Sequence, residues 1–299
     1  MKKPVIFLSL LASLIAAQSC TNLEEQVLDE SFSPSISYAD IANGTLAPVY
    51  ALLPSVFLHT NYFTIQEIST DEAILPYRGG TDWGDNGIYL AMHQHTSTST
   101  DPNLRNTWNF ILQGISRSVS AINEFQGKTD ATSQLYLAES RGMRAYYSML
   151  TLDLFGVVFV KNTVGETSKV IRGAEAVEYI KSELLAIEPN LSTTVGPGRL
   201  NKAAAWGLLA RLHLNAAVYR NVTAQTVTFS NDDLDKVIEY TDKIINSNQY
   251  QLSLDYFSIF NSDNHSNKEI IFAVDQRAEL NGHNRLAYFS LSGDQFPLP

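Results

Sequence analysis

The sequence predicts a mainly all-α protein, and three observations lead to this prediction. Apolar residues recur at steps of three and four in five long segments after residue 100. Residues that cap or stop helices (Asp, Asn, Pro and Gly) stand at the ends of most of these segments. Only residues 270–274 read as a strand. We therefore expect stacked, antiparallel helix pairs with long irregular loops and minor short strands.

The first 36 residues have the pattern of an export signal followed by a tether. A short basic start precedes an apolar stretch, residues 5–17, that is too short to span a bilayer. Ala17-Gln18-Ser19 then places small residues before Cys20, the only cysteine of the chain. This pattern predicts a lipoprotein signal peptide over residues 1–19, a lipid anchor on Cys20 and an acidic flexible tether over residues 20–36. An exported chain with one thiol cannot form an internal disulfide.

The first helix is predicted over residues 37 to about 53, although Gly44 and Pro48 weaken its pattern. A long irregular stretch is expected from about residue 61 to residue 100, where glycines and a Ser/Thr run replace the apolar pattern. A structureless stretch of this length is uncommon inside a compact domain and is usually functional. The sequence therefore points to residues 61–100 as the part of the chain that carries a site.

Five clear helices follow. Asp101 and Pro102 predict a helix start, since an N-cap carboxylate and a proline in the first turn favour one. Gly156 predicts a helix end, and Asn201 predicts the cap of a later helix. The expected helices span residues 101 to about 127, 132–155, 174–187, 201–219 and 232–245. No strict period near 34 residues is found, so an array of tetratricopeptide repeats would be degenerate.

Charge and motifs exclude several classes of function. The formal net charge is −10, and removal of residues 1–19 takes away Lys2 and Lys3, which gives −12 for the mature chain. Such an acidic chain repels phosphate backbones, so no nucleic-acid partner is expected. The chain contains no G-x-S-x-G, H-E-x-x-H or phosphate-binding glycine motif, so no catalytic residue is assigned and the protein is not expected to be an enzyme.

Three segments together resemble the SusD/RagB family of outer-membrane lipoproteins of Bacteroidetes. Residues 139–160 read E-S-R-G-M-R-A-Y-Y-S-M-L-T-L-D-L-F-G-V-V-F-V, and residues 198–214 read G-R-L-N-K-A-A-A-W-G-L-L-A-R-L-H-L. Residues 70–87 read T-D-E-A-I-L-P-Y-R-G-G-T-D-W-G-D-N-G. The lipoprotein start agrees with this resemblance, which covers nearly the whole chain.

The resemblance implies a tetratricopeptide-like helical domain over residues 37–299 and a place on the cell surface, anchored in the outer membrane. It also implies a role as the lid of a SusC-like, TonB-dependent outer-membrane transporter that receives captured oligosaccharides or polysaccharides. Glu24 and Glu25 resemble the surface-export tag of such lipoproteins. Family members are commonly longer, and the chain stops at F-P-L-P without a closing helix. We therefore expect a member that lacks the C-terminal part of the family domain.

Most residues of the resembling segments are interpreted as structural. Four long side chains of the second clear helix are expected to tie loops to the helices: Arg141, Arg144, Tyr146 and Tyr147. Small residues of the fourth clear helix, Ala203, Ala204, Ala205 and Gly207, are expected to let neighbouring helices approach closely. Trp206 is expected in the core.

The candidate ligand site is the glycine-rich loop over residues 77–89. A sugar presents an apolar C–H face and a rim of hydroxyls, so it needs flat aromatic surfaces and planar polar groups. The loop supplies both kinds, in Tyr77, Arg78, Asp82, Trp83, Asp85, Asn86 and Tyr89. The structural alternative is that Trp83 only anchors the loop by packing against the helical domain.

No metal ligand is assigned. The loop from Asp82 partly follows the order of a calcium-binding EF-hand, but the last position is His93 where a glutamate belongs. A looser structural calcium site stays as an alternative, and no other cofactor is expected. His93 and His95 could form a metal pair, but without a third ligand nearby we interpret them as two hydrogen-bonded loop histidines.

Three other functions are left open. The same lid could capture peptides or another nutrient, in which case an acidic chain would prefer basic or neutral ones. A surface glycosidase would need two carboxylates at a set spacing, such as distant residues that meet in a cleft. A helical scaffold that binds only protein would show no affinity for small ligands.

Overall fold

The computed structural model describes residues 38–75 and 86–276, with side chains from residue 43 onward. Its α-helices are α1 Tyr38–Tyr50, α2 Leu53–Val56, α3 Ile88–His93, α4 Pro102–Phe125, α5 Ala131–Phe155, α6 Gly173–Ile187, α7 Lys202–Arg220 and α8 Asn231–Asn246. A π-helical segment spans His59–Ile68, and short 3-10 turns span Glu188–Asn190, Tyr256–Phe260 and Asn264–Ser266. The two strands β1 Val158–Val160 and β2 Lys169–Ile171 form one antiparallel pair in which Val158 lies opposite Ile171. The predicted all-α class is confirmed.

The ends of the long helices follow from local side-chain chemistry. The carboxylate of Asp101 accepts hydrogen bonds from the backbone N–H groups of Asn103 (2.8 Å) and Leu104 (3.1 Å), and Pro102 begins α4. Gly156 ends α5 with a φ of 66°, a backbone conformation that side chains with a Cβ rarely adopt. Asn201 caps α7 through the backbone N–H of Ala204 at 2.8 Å. The predicted bounds of these helices therefore agree with the observed ones to within two residues.

The long helices pack in sequence order, α4 on α5, α5 on α6, α6 on α7 and α7 on α8. One core cluster runs through these contacts, and its largest fully buried side chains include Tyr147, Phe125 and Leu209. The face of α4 at Gly114 touches the ring of Tyr147, because a Cβ built on Gly114 would lie only 2.5 Å from Cζ of that ring. A glycine is therefore what allows α4 and α5 to approach this closely.

Two secondary-structure predictions are wrong. Residues 61–100 are not irregular throughout, because most of the π-helical segment and all of α3 lie within them. The π-helical segment bends at Asn61, whose φ and ψ are −105° and −106°, and the amide of Asn61 donates to the carbonyl of Ser55 (2.7 Å). Such a segment has no 3.6-residue apolar pattern, which is why periodicity missed it.

The second wrong prediction is the strand over residues 270–274. The structure has no strand there. One backbone hydrogen bond, from the N–H of Ala273 to the carbonyl of Pro197 (2.9 Å), joins this segment to the loop before α7. Apolar residues 270–274 are partly buried against the body without a ladder, so their pattern indicates burial rather than strand pairing.

Within residues 38–75 and 86–276, none of the helices has both the length and the apolar character that crossing a bilayer requires.

Candidate functional site

The structure describes only the C-terminal end of the predicted ligand loop. Tyr77, Arg78, Asp82, Trp83 and Asp85 lie outside the described residues. Asn86 is exposed and has a φ of 55°, and Gly87 follows with a φ of 80° at the start of α3. Asn86 is therefore a polar group at the surface, held in a turn.

Tyr89 is buried, although it was predicted to contact ligand. Only 6% of its surface is exposed, and it packs with Ile68 and Leu75 in a small core cluster of its own. Burial of this ring leaves little of it for a sugar face, so the structure gives Tyr89 an anchoring role. Leu75 and Tyr89 stand on either side of residues 76–85, so both flanks of that segment start from one place on the body.

The two histidines after the loop are hydrogen-bonded to backbone. His93 Nδ1 lies 3.3 Å from the carbonyl oxygen of Ile68, and His95 Nε2 lies 2.7 Å from that of Ser69. These contacts tie the end of α3 to the end of the π-helical segment, as the structural interpretation predicted. Across the described part of the chain, no three His, Cys, Asp or Glu side chains converge as a metal site would need.

A buried carboxylate, Glu139 on α5, forms the centre of a network that sequence reasoning missed. Arg199 donates to both of its oxygens, with Nε 3.0 Å from Oε2, and the hydroxyl of Tyr50 donates to Oε2 at 2.8 Å. The backbone N–H of Leu200 in turn donates to the Tyr50 hydroxyl at 3.0 Å. The guanidinium also lies over the ring of Tyr136, 5.3 Å from its centroid. The network therefore joins α1, α5 and the loop before α7.

Burial controls the electrostatics of this network. It raises the pKa of Glu139, and the hydrogen bonds and positive charge of Arg199 offset only part of that rise. The pKa of Tyr50 lies well above its ordinary value, first because of burial and second because of the negative charge of Glu139. Tyr50 is therefore a neutral hydrogen-bond donor. The three groups satisfy one another, which is the behaviour of a structural tie.

A cavity of about 440 Å³ borders this network. Its lining is mostly apolar and includes Leu46, Leu53 and Val274, with Asn43 and Arg199 among its polar members. The same arginine that neutralises Glu139 therefore also faces open space.

A second group of charges gives Arg144 the predicted role of tying a loop to the helices, whereas Arg141 joins two helices. Arg141 makes two hydrogen bonds to Glu183 of α6, at 3.1 and 2.9 Å, and Arg144 makes a third at 2.7 Å. Arg144 also donates to the backbone carbonyl of Lys161, after β1, at 2.9 Å. Burial raises the pKa of Glu183, but the two arginines outweigh burial and hold this pKa below its ordinary value.

The aromatic residues of the resembling segments also act in packing. The hydroxyl of Tyr147 donates to the backbone carbonyl of Val49 (2.7 Å), and the ring of Tyr146 lies 5.8 Å from that of Phe272 in an edge contact. Trp206 packs on the core but is only partly buried, since its Nε1 reaches outward to the carboxylate of Glu188 at 2.8 Å. The expectation of a core position for Trp206 is thus met only in part.

Comparisons with known proteins identify relatives of this chain. No family model matches the chain. Over 224 residues the chain is 34% identical to the starch-binding protein SusD of Bacteroides thetaiotaomicron, a match that covers 72% of this chain and 37% of that protein. The chain thus spans little more than a third of the length of this curated relative.

Solved structures share the fold. A protein crystallised with a xylogluco-oligosaccharide superposes with a TM-score of 0.64 at 22% identity, over 79% of this chain and 46% of that one. The surface glycan-binding protein A of B. thetaiotaomicron, in complex with laminarihexaose, superposes with a TM-score of 0.63 at 18% identity. That likeness covers 80% of this chain and 49% of the neighbour. At these identities the likeness concerns the helical fold alone.

Proposed function

We propose that this chain, which belongs to the SusD-like family, binds oligosaccharides or polysaccharides and does not cleave them. The observation that carries the proposal is the 34% identity to a starch-binding protein over most of the helical body. Two proteins of the same fold have structures solved with oligosaccharides, which supports the same class of ligand. The match spans 37% of the starch-binding relative, so the particular glycan is a matter for experiment.

The proposed place of action is the cell surface, where the protein would deliver its glycan to a TonB-dependent outer-membrane transporter. The export pattern that ends at Cys20 supports this location, and the SusD/RagB resemblance supports the partner. A lipid on Cys20 would hold the chain at the membrane, because each buried methylene of an acyl chain contributes about 0.8 kcal/mol.

The proposed contact site remains the loop over residues 77–89, with Trp83 as its flat apolar surface. Its flanks support this choice, since Leu75 and Tyr89 are both buried beside Ile68. A loop whose two ends are fixed to the body loses less conformational freedom on binding than one with free ends. Asn86 adds an exposed amide at the edge of the loop.

Electrophoresis of the soluble protein without residues 1–20, in native gels that contain one polysaccharide each, tests glycan binding. Starch is the first glycan to use because of the starch-binding relative. We expect retardation by one glycan, its loss in Trp83→Ala and its partial retention in Trp83→Phe, which keeps an aromatic face. Retardation that persists in Trp83→Ala would reject the site and keep the function. A folded protein that no glycan retards would reject the function and favour peptide cargo.

The location and the partner need a separate test in cells. The wild-type chain should fractionate with the outer membrane, be accessible to added protease and co-purify with a TonB-dependent transporter. Cys20→Ala should abolish membrane attachment because it removes the lipid acceptor. A wild-type protein found in the cytosol or the inner membrane would overturn this part of the proposal. Release of reducing sugar from any bound glycan would indicate a glycosidase instead.

A further inference from the structure

Two adjoining clefts lie on the surface formed by residues 193–198 and 248–276. Their volumes are about 630 Å³ and about 440 Å³, and they share Gly196, Pro197 and Ile270 in their linings. The backbone hydrogen bond from Ala273 to Pro197 joins the two segments that form the shared wall. The clefts therefore form one continuous surface, far along the chain from residues 77–89.

The linings of both clefts are nearly uncharged, and they combine apolar residues such as Pro197 and Ile270 with residues that carry amide or hydroxyl groups. The larger cleft is lined by Asn261, Ser262, Asn264 and Gln276, together with His265. The smaller cleft is lined by Thr193, Thr194, Asn248, Gln249 and Tyr250. Apart from the histidine, each cleft has a single ionisable Lys, Arg, Asp or Glu in its lining, Asp275 in the larger and Lys268 in the smaller. Amide and hydroxyl groups both donate and accept hydrogen bonds, as sugar hydroxyls do, whereas a charged ligand would require opposite charges that these walls largely lack.

Three exposed aromatic residues directly precede, along the chain, the segment that lines the larger cleft. Tyr256, Phe257 and Phe260 are 66%, 73% and 65% exposed, and they lie on the 3-10 turn that ends one residue before Asn261. The Tyr256 ring lies 5.4 Å from each of the other two, in tilted or edge contacts. Exposed apolar rings grouped in this way mark interaction surfaces, and a ring can stack on the C–H face of a sugar with little loss of side-chain freedom.

The backbone under these groups is held in place. The carboxylate of Asp255 accepts a hydrogen bond from the N–H of Phe257 (3.0 Å), and the amide of Asn264 donates to the carbonyl of Ile259 (2.8 Å). In the smaller cleft, the hydroxyl of Tyr250 lies 3.0 Å from the Nδ2 of Asn201, the residue that caps α7. These bonds order the backbone that carries the rings and the polar groups, which lowers the conformational freedom lost on binding.

We propose that this surface, the aromatic turn Tyr256–Phe260 with its two clefts, is a second glycan-binding surface for neutral polysaccharide chains. It rests on the proposed function, because it assumes that the protein binds glycans. The rings would stack on one sugar unit while the amide and hydroxyl groups of the clefts bind the hydroxyls of the next units.

Calorimetric titration with the glycan that the native gels identify, or with starch if they identify none, tests this surface. Phe257→Ala and Asn261→Ala should each weaken binding about tenfold, which corresponds to about 1.4 kcal/mol. Phe257→Tyr should bind more tightly than Phe257→Ala because it keeps the ring. The matched controls are Phe229→Ala, at a phenylalanine that is 52% exposed, and Asn109→Ala, at an exposed asparagine of α4. Neither control residue lines the clefts, so both variants should bind within about twofold of the wild type.

The outcomes separate the two proposals. If the wild type binds glycan and both cleft variants bind as the controls do, the second surface is wrong and the proposed function stands. If Trp83→Ala keeps binding while the cleft variants lose it, this surface is the main site. If the wild type binds no glycan, both proposals are wrong. Asn261 and Phe257 are exposed, so both variants should retain the wild-type circular dichroism spectrum. A variant that loses this spectrum is replaced by His265→Ala, since His265 is also exposed and lines the larger cleft.

Discussion

The contact between Gly114 on α4 and Tyr147 on α5 gives the most direct test of how the body is packed. A Cβ at Gly114 would lie 2.5 to 2.6 Å from three carbon atoms of the Tyr147 ring, closer than real Cβ atoms approach. The ring cannot move aside easily, since it is completely buried and its hydroxyl donates to the backbone carbonyl of Val49 at 2.7 Å. Gly114→Ala must therefore displace either the ring or one of the two helices.

Three contributions set the expected size of the effect. Overpacking a well-filled core costs about 1–3 kcal/mol. Displacing the Tyr147 hydroxyl from its acceptor costs about 1 kcal/mol more. Alanine is favoured over glycine in a helix interior by about 1 kcal/mol, which offsets part of the loss. Gly114→Ala should thus lower the free energy of unfolding by about 1–3 kcal/mol.

Urea denaturation followed by circular dichroism measures this difference, and Gly207→Ala on α7 is the matched control. A Cβ at Gly207 would lie 4.0 Å from the Ile244 side chain, an ordinary contact, so this variant should be as stable as the wild type or up to about 1 kcal/mol more stable. Tyr147→Leu should lower the free energy of unfolding less in the Gly114→Ala background than in the wild-type background, because the smaller side chain makes room for the new methyl group. If Gly114→Ala is as stable as Gly207→Ala, the close packing of α4 on α5 is refuted.

Three further predictions concern the charged and capping residues. Arg199→Met should lower the free energy of unfolding, measured by urea denaturation, by about 3–5 kcal/mol because it leaves the buried carboxylate of Glu139 without its charged partner. A loss below about 1 kcal/mol would contradict the network. The lowered pKa of Glu183 means that its ionised form contributes stability above the unfolded-state pKa, and that this contribution is lost as the pH falls through the folded-state pKa. As the pH is lowered from about 6 to about 3, the melting temperature should therefore fall less steeply in Glu183→Gln than in the wild type. Parallel curves of melting temperature against pH would show that the arginines do not stabilise the carboxylate. Asp101→Ala should lower the free energy of unfolding by about 1 kcal/mol, the usual cost of losing a helix cap. Asn201→Ala should lower it further, because the amide of Asn201 also donates to a loop carbonyl and to a tyrosine hydroxyl. Equal losses in the two variants would contradict this added role.

The sequence predicted only part of the candidate sites. The loop over residues 77–89 was proposed from its composition, and composition alone did not distinguish Tyr89, which is buried, from Asn86, which is exposed. The clefts near residues 248–276 were missed because their polar groups come from two segments about fifty residues apart. The asparagine- and serine-rich run of residues 261–267 was the one local signal for them.

The sequence by itself determined the five long helices α4 to α8, because the signals that define a helix are local. The 3.6-residue apolar pattern, the caps at Asp101 and Asn201 and the stop at Gly156 all act within a few residues of the backbone groups that they satisfy. Those features gave the bounds of α4 to α8 with small errors, and with them the fold class.

Only the tertiary structure decided which distant groups meet. Glu139 and Arg199 are 60 residues apart, and Tyr50 and Leu200 are 150 residues apart, yet each pair forms a hydrogen bond. The apolar segment 270–274 could have joined a sheet, but among the described residues it pairs with no strand and makes one backbone hydrogen bond to Pro197. Burial makes such long-range pairings strong by removing water that would compete with them, and burial is a property of the packed body that local sequence patterns do not contain.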